Sequence, residues 1–251
     1  KLEDYNKALS INLYLVEVQK TVLGENDPEY LTNLNNLSIL YSELRNFDKA
    51  FEISQKVSEL SKVKFGEKTL EYFKSLERLA LAYFELGDFQ KALEINLEAV
   101  KLGKEVLGER NQDYLNSLGK LAEVYAQLGN YKKTLEIYLY LVDVQKQILG
   151  ETDPLYSTLL GNLAYAYSHL GNYKKTIEID LKVIELKKEI FGDKHREYLI
   201  SLNNLATDYF KIGNYLKALE INQKVLELRK QFFGEMDPDY LTSLANTSVI
   251  Y

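Results

Sequence analysis

Imidazole is the side chain best suited to moving protons near neutral pH, and the chain holds two, His169 and His195, with no cysteine. They are not spaced as paired metal ligands, and no thiolate is available for a metal centre or a nucleophile. No glycine-rich phosphate loop and no serine–histidine–aspartate order is present. His195 occupies the position filled elsewhere by Asp27, Asp153 and Asp237, where a side chain caps a helix. His169 stands near the end of a predicted helix and is expected to be solvated. The expectation is a chain that is not an enzyme, with no catalytic residue, no cofactor and no metal.

A second set of residues has the spacing of a binding surface. Asn36, Arg78, Lys120, Asn162, Asn204 and Asn246 follow one another at intervals of 42 residues. An asparagine side chain donates and accepts, so a ladder of them can pair with the backbone of an extended peptide whatever its sequence. Arg78 and Lys120 within that ladder suit a segment with an acidic centre. A competing reading stays open, in which these asparagines tie one repeat to the next. Gly119 and Gly161, also one interval apart, invite either close approach of a ligand or tight local packing.

The elements that position these residues follow from the same interval. Gly24, Gly66, Gly108, Gly150, Gly192 and Gly234 are each 42 residues apart, with no insertion or deletion, which is the signature of a stacked repeat. In the copy at 192–233, Tyr198, Leu199, Leu202, Leu205, Ala206, Tyr209 and Ile212 fall on one helical stripe. Gly213 ends that helix, helix A. Ala218, Leu219, Ile221, Val225, Leu228 and Phe232 mark a second, helix B, over 215–233. The three prolines, Pro28, Pro154 and Pro238, share one phase and each follows an aspartate, a favoured helix start. Aromatic rings recur at three fixed phases too, Tyr30 through Tyr240, Tyr41 through Tyr251, and Tyr5, Phe47, Phe89, Tyr131, Tyr173 and Tyr215, at spacing that places them in the core with their hydroxyls at its rim. Runs such as 185–189 read as a solvated helix face with i,i+4 ion pairs.

Leu205, Ala206, Tyr209, Gly213, Tyr215, Ala218 and Val225 follow the order and spacing of the tetratricopeptide repeat, and the chain resembles that family throughout. The small residues Ser38, Ala80, Ala122, Ala164, Ala206 and Ser248, with Ala8, Ala50, Ala92, Thr134, Thr176 and Ala218, stand where helices A and B would cross. The 42-residue form with Ser201–Leu202–Asn203–Asn204–Leu205–Ala206 looks like the kinesin light chain class, found also in bacterial multidomain signalling proteins beside NTPase or caspase-like protease domains. The resemblance implies an all-α fold, a right-handed α-α superhelical solenoid of about twelve helices. It would run as a single array over 1–251: a helix B at 1–23, full repeats at 24–65, 66–107, 108–149, 150–191 and 192–233, and a helix A at 234–251.

The same resemblance implies a concave groove, lined by helices A, that binds a protein or peptide. Its candidate residues are Asn36, Lys74, Arg78, Asn116, Lys120, Asn162, Asn203, Asn204 and Asn246. Repeat 1 lacks the lysine that a clamp for a C-terminal carboxylate would need. One irregularity stands out: Arg45 holds the hairpin-turn phase that is otherwise Gly87, Gly129, Gly171 and Gly213, so that turn is expected to be strained or differently built.

Composition bounds the partners. The net charge of −6 provides no basic field to draw nucleic acid or an anionic membrane. No apolar run approaches the roughly 18 residues of a membrane span, and no signal peptide is visible. A cytoplasmic protein is expected. Lys1 in place of an initiating methionine suggests a piece of something longer. Leu9, Ile11 and Leu15 near one end, and Leu241, Leu244 and Tyr251 at the other, lack the polar cap of a solenoid end. Head-to-tail self-association through those ends is the alternative to groove binding, as is a regulatory role within a larger signalling enzyme.

Overall fold

The computed structural model describes residues 2–250, and every regular element among them is an α-helix. The order is α1 (Leu2–Val22), α2 (Pro28–Glu43), α3 (Phe47–Phe65), α4 (Leu70–Glu85), α5 (Phe89–Leu107), α6 (Gln112–Gln127), α7 (Tyr131–Leu149), α8 (Pro154–His169), α9 (Tyr173–Phe191), α10 (Arg196–Lys211), α11 (Tyr215–Phe233) and α12 (Pro238–Ile250). The even-numbered helices are the expected helices A, and the odd-numbered ones are helices B.

The chain forms two compact units, Lys1–Gly129 and Asn130–Tyr251. In the first, each of α1 to α6 packs on the next, and α2 also meets α4. In the second, α7 to α12 pack consecutively in the same way. Each unit is therefore an α-α solenoid segment, in which every interior helix buries one stripe against its predecessor and another against its successor.

Local chemistry fixes the helix ends. Asp27 and Asp153 accept the backbone N–H of Glu29 and Leu155 at 2.8 Å, with Pro28 and Pro154 at the first helical positions. His195 does the same through Nδ1, accepting from the Glu197 N–H at 3.2 Å, so capping is its role. Asn46, Asp88, Asn130, Asn172 and Asn214 cap the helices B. The glycine after each of α3, α5, α7, α9 and α11 has a positive φ. Across the glycines that follow α3, α5, α7 and α11 a lysine of the last helical turn reaches the following glutamate, as in Lys62–Glu67 at 2.8 Å and Lys230–Glu235 at 2.6 Å.

Arg45 adopts φ 59° and closes its turn as the glycines do. Asn46 N–H donates to Tyr41 O at 2.8 Å, just as Asp88 N–H donates to Tyr83 O at 3.0 Å. The turn is thus built the same way, and the left-handed conformation of a residue with a Cβ is the strain.

The crossings are filled by small residues, as their phase predicts. Ala50, Ala92, Thr134, Thr176 and Ala218 are all fully buried. Ser38 and Ser54 share a hydrogen bond of 2.6 Å at the first crossing. The tyrosines of the first aromatic phase are core residues, and the hydroxyls of Tyr30, Tyr72 and Tyr156 find rim partners, whereas Tyr215 of the third phase is 54% exposed. Tyr72 Oη donates to Glu98 at 3.0 Å, and Lys56 Nζ donates to Tyr30 Oη at 3.2 Å. In the core of the second repeat Phe73 is wholly buried with Leu76, Ala99 and Leu102. Its ring fits only because residue 103 is glycine: a Cβ there would stand 2.7 Å from the ring.

One expectation needs correction. Lys187 is not on a solvated face. It is buried, and its ammonium donates to Glu197 of the next repeat at 2.7 Å. The exposed ion pairs along the helices B are instead i,i+3: Lys91–Glu94, Lys133–Glu136 and Lys175–Glu178.

Candidate functional site

In the first unit the candidate residues lie on α2, α4 and α6. Asn36, Lys74 and Asn116 are exposed, and Arg78 and Lys120 are half-buried. A recess of about 410 Å³ opens between α2 and α4, with Thr32, Asn35, Lys74 and Glu71 at its edge and Leu31, Val57 and Phe65 beneath. Lys120 is committed within the unit: its ammonium lies 2.8 Å from Glu77 Oε1, which also accepts from Ser117 at 2.8 Å. Arg78 is held differently. Burial lowers its pKa, opposed by the nearby charges of Glu85 and Glu77, and Glu85 itself accepts from Ser42 at 2.6 Å. The unit therefore brings Lys74 and Arg78 together on α4, while Lys120 is spent on Glu77. Asn116 accepts from Gln112 at 3.0 Å along its own helix.

In the second unit the candidates lie on α8, α10 and α12. Asn162 and Asn203 are half-buried and Asn204 is exposed. Asn246 donates to Asn203 Oδ1 at 3.3 Å, so two of the asparagines do tie one repeat to the next. Gly119 and Gly161 are both open, with no atom within 4 Å of an added Cβ, which removes tight packing as their explanation.

Gly161 borders a pocket of about 210 Å³ in this unit, lined by Tyr165, Ser168, Asp180, Asn204, Thr207, Asp208 and Lys211. Ser168 donates to Asp208 Oδ1 at 2.7 Å, and Lys211 donates to Ser168 Oγ at 2.8 Å and to Asp208 Oδ1 at 3.2 Å. Asp180, from α9, is 6% exposed, and its Oδ2 is buried without a hydrogen-bond partner. Burial first, and then the Asp208 charge beside it, raise the Asp180 carboxyl to about 7. Outside the lining, His169 stacks on Tyr131 at 4.2 Å and meets the pocket residue Tyr165 at 4.3 Å. Burial and the Lys211 charge lower the His169 pKa, with Asp208 opposing.

Ser168, Asp180, Asp208 and Lys211 were not among the candidates. A comparison of phases that included the helices B would have singled out two of them. Asp208 replaces Leu40, Ala82, Val124 and Ala166, and Asp180 replaces Ser54, Asn96, Tyr138 and Asn222.

Among the described residues no cluster of three or more acidic, histidine or cysteine side chains could hold a metal. No helix among them is long and apolar enough to cross a membrane.

Comparisons with known proteins were made on this basis. A tetratricopeptide repeat profile matches residues 71–147, 115–189 and 155–231, and a second of the same description matches 31–69. No curated protein matches the sequence. Among solved structures, the nearly identical repeats of a putative kinesin light chain from Podosopora anserina are 22% identical, with a TM-score of 0.75 over 81% of this chain and 96% of that one. BtubC from P. vanneervenii is 20% identical, with a TM-score of 0.63 over 82% and 80%. A signal transduction ATPase with a tetratricopeptide repeat sensor, from Pyrococcus horikoshii, is 18% identical, with a TM-score of 0.74 over 95% of this chain but 35% of that one.

Proposed function

Because the chain belongs to the tetratricopeptide repeat family, we propose that it is a protein-interaction scaffold, of the kinesin-light-chain-like class, whose helices A bind an extended segment of a partner. The observation that carries this reading is where the recesses open. In each unit a recess lies at the exposed side of the helices A and is edged by the groove phases: Thr32, Asn35 and Lys74 in the first, Gly161, Tyr165, Asn204 and Thr207 in the second. Asn36, Lys74, Arg78 and Asn116 offer donors and acceptors to a bound backbone in the first unit, while Lys120, paired with Glu77, adds no net charge. Asn162, Asn203, Asn204 and Asn246 do so in the second. Lys74 and Arg78, neighbours on one helix face, favour an acidic stretch of ligand over the first unit.

Selection from a random peptide library on the full chain tests this reading. Selected peptides are expected to carry acidic residues and to lose at least tenfold in affinity on Lys74→Glu with Arg78→Glu, the equivalent of about 1.4 kcal/mol. Peptides bound equally by the double variant would contradict the assignment.

A second reading has its own support. Ile11, Tyr14 and Val22 on α1 are 61%, 68% and 72% exposed, and Leu241 and Leu244 on α12 are 51% and 46% exposed. Exposed apolar faces of this kind suit association between copies. Sedimentation over a wide concentration range would then show growth of the assembly that Lys74→Glu with Arg78→Glu leaves untouched, and a strict monomer throughout would dismiss it.

A further inference from the structure

The pocket at the α9–α10 interface has an unbalanced charge. Lys211 and Ser168 together satisfy Asp208. No donor among the described residues reaches Asp180 Oδ2, and the neighbour of its carboxyl is the Asp208 carboxyl, although Asp180 is more than nine-tenths buried and lines the pocket. Two carboxyls and one ammonium leave one uncompensated negative charge when Asp180 ionises. A buried charge of this kind is stable only with a counter-ion or a proton.

The other walls say what counter-ion fits. Tyr165 presents its ring at the pocket edge, where an aromatic face attracts a cation. Gly161 leaves the entrance clear, since no side chain occupies the direction of its missing Cβ. A volume of about 210 Å³ is below the roughly 300–1,000 Å³ of pockets that take drug-sized ligands, and suits one long side chain. A divalent cation is disfavoured: only two carboxylates converge, and the Lys211 ammonium already stands 3.2 Å from one of them.

We propose that this pocket receives the cationic tip of a lysine or arginine side chain from the bound polypeptide, with Asp180 as its counter-charge, Tyr165 beside its stem and Gly161 as its way in. The proposal rests on the reading that a partner segment lies along the helices A, and it adds a basic residue to the sequence that segment must have. In the empty pocket a proton on Asp180 does the work of the missing cation. Binding therefore displaces that proton, and affinity rises with pH through neutrality. The titratable groups that line the pocket with Asp180 are Tyr165 from α8 and Asp208 and Lys211 from α10. On its own helix the next charge on the same face is Lys187, committed to Glu197.

The test uses the full chain and a free probe, so it does not depend on finding a partner. N-acetylarginine amide is titrated by NMR at pH 6 and pH 8, with N-acetylcitrulline amide as the neutral isostere. The arginine probe is expected to shift resonances of α8–α10, to bind about tenfold more tightly at pH 8 than at pH 6, and to outbind citrulline. Asp180→Asn and Gly161→Leu should each abolish the effect. The first places the residue found at 96 and 222, and the second fills the pocket without touching the acids. Equal binding of citrulline, arginine binding that survives both variants, or no arginine binding at pH 8 would overturn the proposal. Peptides selected on the chain separate this from the groove reading. Selected peptides with no basic residue and no response to Asp180→Asn overturn the pocket alone.

Discussion

Asp180→Asn should make the protein more stable at pH 8 and leave it almost unchanged at pH 4. The Asp180 carboxyl is raised from 3.8 to about 7 by burial and by Asp208. Its pKa is therefore higher in the folded chain than in the unfolded one. The stability it contributes in its protonated form is complete below about pH 4 and is lost as pH rises towards 7. Each unit of difference corresponds to about 1.4 kcal/mol, so the roughly three-unit gap sets about 4 kcal/mol as the ceiling at pH 8. Asparagine keeps the shape, removes the ionisation, and can donate to the carbonyl four residues back, as Asn96 does to Ala92 O at 2.8 Å. The assay is urea denaturation of both proteins from pH 4 to pH 8, taking the difference in midpoint so that other titrating groups cancel. The difference should grow in favour of the variant between pH 4 and 7 and level off above. A constant difference, or a wild type that is the more stable at pH 8, would refute the reasoning about the buried pair.

Arg45→Gly should stabilise the first unit by about 1 kcal/mol, because it relieves a left-handed residue while the hydrogen bonds of the turn remain; thermal melting checks it. Gly103→Ala should cost about 1–3 kcal/mol through overpacking against Phe73, and Phe73→Leu in the same chain should recover much of the loss. Glu25 is held at about 2 by hydrogen bonds from Lys20 and Lys56, and Glu151 at about 2 by Lys146 and Lys182. Both folded values are depressed, so their contribution is present above about pH 4.5 and lost as pH falls towards 2. Glu25→Gln with Glu151→Gln should therefore flatten the acid limb of the stability profile below pH 4.5 and leave the limb above pH 5 as it was.

Most of the fold was legible because its signals are local. A capping aspartate followed by proline, a glycine past the last apolar residue, and an alanine at a crossing each act within a few residues, and the fixed interval copies them along the chain. Even the exception at Arg45 could be seen, since a turn that needs positive φ is a backbone requirement. The site was legible only in part. Phase alone identified Lys74, Asn204 and Gly161 as residues of the exposed faces. It could not show that Lys120 is occupied by Glu77, because the two lie 43 residues apart and each looks like an ordinary surface charge. Asp180 and Asp208 each depart from the residues at their phase and could have been singled out from the sequence, but that they meet was not legible, because helix B of one repeat packs on helix A of the next. Lys187 was misread on the same grounds, its partner lying across that interface too.

Hydrogen exchange of the full chain, with and without a selected peptide, tests the central claim most directly. Binding along the helices A predicts added protection in α4 and α10 and in the turns that precede them, with α1 unaffected. Protection confined to α1, or none on the helices A, would contradict it.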